Sequence, residues 1–206
     1  METPARRPLA TRDSRWARRM AAALARSAVT PNQISMISIV FACAGAYALV
    51  RATPLALLLA AVCVQLRLLC NLLDGMVAIE GGKQSPVGAL YNEFPDRIAD
   101  SVLLVALGYA ALIPWLGWFA ALLAAFTAYV RATGGALGLT QDFRGPMAKP
   151  QRMAVLTIAC LAGAAELYWN GTRYALAIAA ILIAAGSALT CATRTLAIAR
   201  TLRART

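Results

Sequence analysis

Histidine is absent from the chain, and acidic residues are scarce, only nine among 206 positions. The first absence excludes imidazole general bases, Ser-His and Cys-His nucleophile pairs and imidazole metal ligands. Any chemistry falls to carboxylates, amides, basic side chains and the backbone. Cysteine is also sparse. Cys43, Cys63, Cys70, Cys160 and Cys191 each sit in an apolar run, and no pair has metal-ligand spacing. They read as small buried apolar residues. Polar surface material is missing too: the chain is 60% hydrophobic and 14% charged. A soluble domain of this length keeps far more polar surface, so the excess points to a chain solvated by lipid. One membrane domain is expected, with no room for a second domain of ordinary size.

What is present is a series of apolar runs with basic punctuation. Six candidate spans cover about 34–50, 55–79, 98–113, 115–135, 153–169 and 174–193. Several are near the lower limit of about 17–20 residues for crossing a bilayer. None shows the alternation of barrel strands, so helices are the spanning form. The expectation is an all-α integral membrane protein of six transmembrane helices with an N-terminal amphipathic interfacial helix. Residues 1–12, with their prolines and arginines, read as a flexible tail. In 13–28, DSRWARRMAAALARS sets Trp16, Met20, Ala23 and Leu24 on one face, with Arg15, Arg18, Arg19 and Arg26 largely elsewhere. That pattern suits a helix lying on an anionic leaflet. The membrane domain runs over 29–198, and 199–206 is a basic C-terminal tail.

The net charge of +11 does not form a nucleic-acid-binding face, because the basic residues lie in short runs between apolar stretches. With the N-terminus inside, segments 1–33, 80–97, 131–152 and 194–206 hold seventeen of the twenty Lys and Arg residues. Only Arg51 and Arg173 fall outside, and Arg67 lies within the second span. This bias follows the positive-inside rule. It predicts a bacterial-type inner membrane protein with both termini and the polar cluster facing the cytoplasm. Glu166, Trp115, Trp118 and Trp169 fall at the outer interface, with no catalytic part.

Five of the nine acidic residues (Asp74, Glu80, Glu93, Asp96 and Asp100) lie between positions 74 and 100. Each ionisable group at membrane depth costs roughly 2.5–3.5 kcal/mol even on a mild insertion scale. Such a cluster needs water, a cation or a partner charge. Asn71 and Asp74 share one helical face with Arg67 and Ala78, while Asn92, Asp96 and Asp100 line a face of the next helix. GGKQSPVG between them suits a turn joining two antiparallel helices. The hairpin therefore brings two oxygen-bearing faces together, a donor set that suits Mg²⁺ or Mn²⁺ bridging to substrate phosphate. Gly75 leaves bare backbone beside Asp74 for a bulky ligand. Packing asparagines on a glycine-lined helix contact would produce part of the same pattern.

These residues resemble the CDP-alcohol phosphotransferase family, which includes phosphatidylglycerophosphate, phosphatidylinositol-phosphate and phosphatidylserine synthases. Its signature reads D-x2-D-G-x2-A-R-x8-G-x3-D-x3-D. Here N-L-L-D-G-M-V-A-I occupies Asn71 to Ile79, followed at the same spacing by Gly88, Asn92 and Asp96. The resemblance implies transfer of a phosphatidyl group from CDP-diacylglycerol to an alcohol with release of CMP, assisted by Mg²⁺ or Mn²⁺, in a homodimer. It implies that Asn71, Asp74, Asn92 and Asp96 are the metal ligands, with Asp96 also the general base toward the acceptor hydroxyl. Gly75, Ala78 and Gly88 would admit the nucleotide to the helices, and Ser85 with Thr30, Pro31, Asn32 and Gln33 would contact the CDP moiety. Three positions depart from the signature. Two aspartates are Asn71 and Asn92, and its arginine is Ile79. An amide oxygen coordinates a cation without bringing charge, so weaker metal binding is expected, and one cation or two stays open. Glu93 or Asp100 are candidates for the missing carboxylate, and Lys83, Arg67 or Arg97 for the missing cationic contact.

Arg131, Arg144, Lys149 and Arg152 flank a Gly-rich stretch on the same side as the carboxylates. The resemblance makes this the acceptor's phosphate or headgroup pocket, with Arg131, Lys149 and above all Arg152 binding it. The alternative for each is anchoring to lipid headgroups. Two other classes stay open: a non-catalytic relative acting as a membrane partner, and a small transporter. A transporter predicts polar residues spread through the depth of several helices.

Overall fold

The computed structural model describes residues 14–205. The tail expected at 1–12 lies outside them. Seven helices follow one another: α1 (Arg15–Arg26), α2 (Pro31–Arg51), α3 (Pro54–Ile79), α4 (Gly88–Ala110), α5 (Pro114–Ala136), α6 (Lys149–Trp169) and α7 (Tyr174–Arg203). The described residues form no strand.

The helix starts are written into the local chemistry. Thr30 Oγ1 accepts from the Gln33 amide at 3.3 Å, and Gln33 Oε1 accepts from the Thr30 amide at 2.9 Å. This reciprocal box satisfies two amides that a helix end leaves without partners. Thr53 caps α3 in the same way, accepting from the Ala56 amide at 3.2 Å. Proline occupies the first turn of α2, α3, α5 and α6, where it forfeits no helical hydrogen bond. In the α6–α7 turn, the Glu166 carboxylate accepts from the Tyr174 and Ala175 amides, each at 2.9 Å, and so caps α7.

Helices α2, α3, α5, α6 and α7 are long and apolar enough to cross a membrane. Helix α4 is not counted with them. Its first half carries Glu93, Asp96, Arg97 and Asp100, whereas its second half places Leu103, Leu104 and Leu107 fully inside the core. The boundaries differ from the expected spans at two places. Helix α4 begins at Gly88, ahead of the apolar span expected from 98, and takes in Asn92 and Asp96 as their spacing implied, with Pro95 inside it. Helix α7 runs on to Arg203, so most of the basic tail is helical. Arginines in its last turn face the negative end of the helix dipole, which favours the extension.

Small residues set how closely the helices approach. A Cβ on Gly108 of α4 would lie 2.6 Å from the Gly117 Cα of α5, and one on Gly45 of α2 would lie 3.0 Å from the Cys63 Cβ of α3. Association through such small-residue contacts is usual where lipid removes the hydrophobic drive between helices. The core gathers Leu49, Leu57, Val64, Leu103, Leu107, Leu156 and Ile183. Val40, Leu55, Leu59, Leu161 and Tyr168 stay exposed on the perimeter. Helix α1 rests on α3 through Ala17 and Ala21, which pack with Leu72, Leu73, Met76 and Val77. Trp16 and Met20 stay partly exposed.

Candidate functional site

One end of the bundle encloses a cavity of about 1000 Å³, walled by the ends of α2 through α7. That volume is at the upper range of small-molecule sites. Of the expected site residues, Pro31, Asn32, Asn71, Asp74, Gly75, Ala78, Ser85, Gly88, Asn92, Asp96, Arg131, Lys149 and Arg152 all line it. Thr30 and Gln33 do not. They are engaged in the capping box that fixes the start of α2.

The two oxygen-bearing faces meet across the α3–α4 hairpin. The Asn71 side-chain amide donates to Asp96 Oδ1 at 2.7 Å. Asp74, one turn further along α3, accepts from the Ser35 hydroxyl of α2 at 2.6 Å. Both carboxylates are buried, at 5% and 8% exposure, yet both reach the cavity wall. Asn32 bridges to the hairpin turn, its amide 3.5 Å from the Ser85 hydroxyl.

Asp96 is surrounded by cations. Lys149 Nζ lies 2.5 Å from Oδ2, Arg97 Nη2 lies 3.6 Å from Oδ2, and Arg67 Nη2 lies 3.5 Å from Oδ1. Asp100, one turn deeper, is held between two buried arginines: Arg67 at 2.6 Å and Arg152 at 2.8 Å. Arg152 also donates to the Met147 carbonyl at 2.9 Å. Three helices are thereby joined at one buried carboxylate.

The remaining basic residues form the other wall. Arg131 pairs with Glu93 at 2.5 Å, donates to Gln141 at 2.6 Å, and stacks over the Phe143 ring at 5.1 Å. Arg194 of α7 donates to the carbonyls of Arg144 and Thr127, at 2.8 and 2.7 Å. In the loop between α5 and α6, Asp142 accepts from Arg144, and those bonds hold its carboxyl below the ordinary carboxylate range. Arg144 itself points outward, its side chain 88% exposed, and does not line the cavity.

The substitutes considered for the missing signature residues have partners of their own, although Glu93, Lys83 and Arg97 also reach the cavity. Glu93 is taken by Arg131, and Asp100 by Arg67 and Arg152. Lys83 donates to the carbonyls of Leu24, Ser27 and Val29, tying the hairpin turn to the end of α1. Ser35, Thr127 and Arg194 are among the cavity residues that escaped sequence reasoning. Arg194 closes the last apolar run with a charge, and Ser35 sits one turn inside a capped helix start. Those are the available signals, and neither is specific.

Among the described residues no three of Asp, Glu, Cys and His come together as metal ligands. The donor set is two carboxylates, Asp74 and Asp96, with two amides, Asn71 and Asn92, on one cavity wall. All-oxygen donors of this kind fit a hard divalent cation, at half the negative charge of a four-carboxylate set.

Comparison with known proteins agrees with this arrangement. Residues 28–192 match the family model described as CDP-alcohol phosphatidyltransferase. Archaetidylinositol phosphate synthase of Aeropyrum pernix is 33% identical over 174 residues, covering 83% of this chain and 85% of that protein. Inner membrane protein YnbA of Escherichia coli is 27% identical over 157 residues, covering 72% and 77%. Phosphatidylinositol phosphate synthase (PgsA1) of Mycobacterium tuberculosis, solved with CDP-DAG bound, shares the fold with a TM-score of 0.73 at 23% identity, covering 90% of this chain and 94% of that one. The same enzyme solved with manganese and citrate also gives 0.73 at 23% identity, covering 88% of both chains. The matched stretch spans most of the chain and contains the hairpin and both cavity walls, so this protein belongs to the CDP-alcohol phosphatidyltransferase family.

Proposed function

We propose that the chain transfers a phosphatidyl group from CDP-diacylglycerol to an alcohol and releases CMP, with Mg²⁺ or Mn²⁺ bound at the hairpin. The observation that carries this reading is the Asn71–Asp96 contact at 2.7 Å, which holds the oxygen-bearing faces of α3 and α4 together on the wall of a ligand-sized cavity. Asn71, Asp74, Asn92 and Asp96 would hold the cation. When bound, it neutralises the diphosphate and the charge developing on the departing CMP.

The chain's own residues supply the rest. Gly75 and Ala78 leave a shallow strip on α3 where the nucleotide can lie against the helix, and Asn32 and Ser85 close one end of it. The acceptor oxygen attacks the lipid-bearing phosphorus, the bond from that phosphorus to the CMP oxygen breaks, and Asp96 takes the hydroxyl proton. Asp96 begins with Asn71 on one oxygen and Lys149 on the other, so Lys149 must yield for the acceptor to reach the base. Arg131, Lys149 and Arg152, together with Arg194, form a basic wall suited to an acceptor that carries its own phosphate. The named synthases among the relatives support a phosphorylated polyol such as inositol phosphate.

In the membrane, α4 would be the sixth span. Its charged first half would be accommodated by Arg67, Arg152 and Lys149, and its apolar second half by the core. The basic end, with both termini and the cavity, would face the cytoplasm of a bacterial-type inner membrane, and α1 would lie on that leaflet. Assembly as a homodimer is part of the same reading. The second reading, a weakly active or non-catalytic membrane partner, draws on Asn71, Asn92 and the cations crowding Asp96. The polar residues collect at one end of the bundle, so the structure lends no support to a transport path.

The test is to incubate the purified protein with CDP-diacylglycerol, Mn²⁺ and a panel of headgroups including inositol phosphate, and to assay CMP. Metal-dependent release that Asp96→Ala abolishes is expected. Equal release by parent and variant sinks the mechanism.

A further inference from the structure

We propose that the Lys149 ammonium is a resident cation of this site, placed so that the chain takes one divalent ion and not two. The inference rests on the transferase reading for the ion's purpose, but its physical basis is the charge around Asp96. Asn71 and Asn92 leave two carboxylates at the hairpin, and Asp100 is neutralised by Arg67 and Arg152. Asp96 already carries its counter-charge, because Lys149 Nζ sits 2.5 Å from Oδ2 with Arg97 and Arg67 further out.

The lysine is placed by the fold. It is the first residue of α6, Pro150 follows it and fixes the backbone there, and its side chain is only 20% exposed. Asp74, whose carboxylate accepts from the Ser35 hydroxyl and is not paired with a cation among the described residues, is the other carboxylate on the cavity wall open to a divalent ion. A second ion would have to displace Lys149 and enter a region where two guanidinium groups approach the same carboxylate, and like-charge repulsion opposes that. The two amide substitutions and the lysine are therefore one compensated arrangement. The ammonium also lies on the cavity wall, where an arriving diphosphate offers it a charge-assisted partner.

The experiment is a Mn²⁺ titration of the purified full chain, alone and with CDP, with free and bound ion read by electron paramagnetic resonance. The parent and Lys149→Arg are expected to saturate at one ion per chain. Lys149→Met is expected to bind that ion roughly tenfold more tightly, because Asp96 loses its internal competitor. The triple variant Asn71→Asp, Asn92→Asp, Lys149→Met is expected to take two. Two ions in the parent, no ion in the parent, or Lys149→Met matching the parent in affinity each overturn the proposal. The parent's stoichiometry decides even where a variant fails to fold. One ion per chain with no CMP release overturns the transferase reading and leaves this inference standing. Two ions with CMP release does the reverse.

Discussion

Asp100 is 2% exposed, and its two oxygens are divided between Arg67 and Arg152. Some of their nitrogens have nothing else: Arg67 Nε and Nη1 and Arg152 Nε lack hydrogen-bond partners among the described residues. Removing one member of a buried ionic group leaves charge without compensation, at about 3–5 kcal/mol. Asp100→Asn should therefore lower the melting temperature in detergent strongly, and Arg67→Met combined with Asp100→Leu should recover part of the loss. An unchanged melting temperature for Asp100→Asn would mean the triad is not what secures α4. At this scale the sequence was half legible. Four-residue spacing placed Asn92, Asp96 and Asp100 on one face, and the structure keeps that face. It then divides the labour, sending Asp96 to the cavity and Asp100 to the arginines. That division depends on partners 33 and 52 positions away, which no local pattern reports. The Lys149–Asp96 pair was out of reach for the same reason.

Helix α4 shows how an element can be recognised while its limits are misjudged. Apolar content alone placed the start of its span at 98, because the preceding turns carry three charges. Those turns are helical, with Glu93 paired to Arg131 and Asp96 to Lys149. The α4–α5 crossing has no sequence signature beyond two glycines, yet Gly108 and Gly117 meet backbone to backbone. Gly108→Val should destabilise by about 1–3 kcal/mol or more, as overpacking does where nothing can move aside. A monodisperse, parent-like thermal profile for that variant would contradict the crossing. The hairpin turn gives a gentler test. GGKQSPVG was readable as a turn, but not that Lys83 would reach three carbonyls at the end of α1. A cation at a helix C-terminus stabilises the last turn modestly. Lys83→Met should accelerate tryptic cleavage after Arg19 and Arg26 while the bundle that follows stays intact. Equal cleavage rates would show that the alanine contacts alone hold α1.

Across the whole molecule, the two ends of the bundle are chemically unlike. One gathers the cavity, the ion pairs and the N-terminal helix. The other carries Trp115, Trp118 and Trp169 exposed around a capped turn, with Glu166 spending its charge on backbone amides. This polarity was the most legible property of the sequence, because it depends on composition along the chain and not on contacts between distant residues. It also makes a firm demand on orientation. Loops carrying Lys and Arg resist translocation, so the cavity end is expected on the side where the chain was made. Asn170 follows α6 at the tryptophan-bearing end, and Thr201 lies in the last turns of α7 at the basic end, and both are exposed. A membrane-impermeant maleimide applied to intact spheroplasts should label Asn170→Cys and spare Thr201→Cys, which should react only after permeabilisation. The native cysteines all lie within helices α2, α3, α6 and α7, away from both positions, so the parent supplies the background. Labelling of Thr201→Cys in intact spheroplasts would put the basic wall and its carboxylates on the outer face, away from any cytoplasmic supply of a nucleotide-activated lipid.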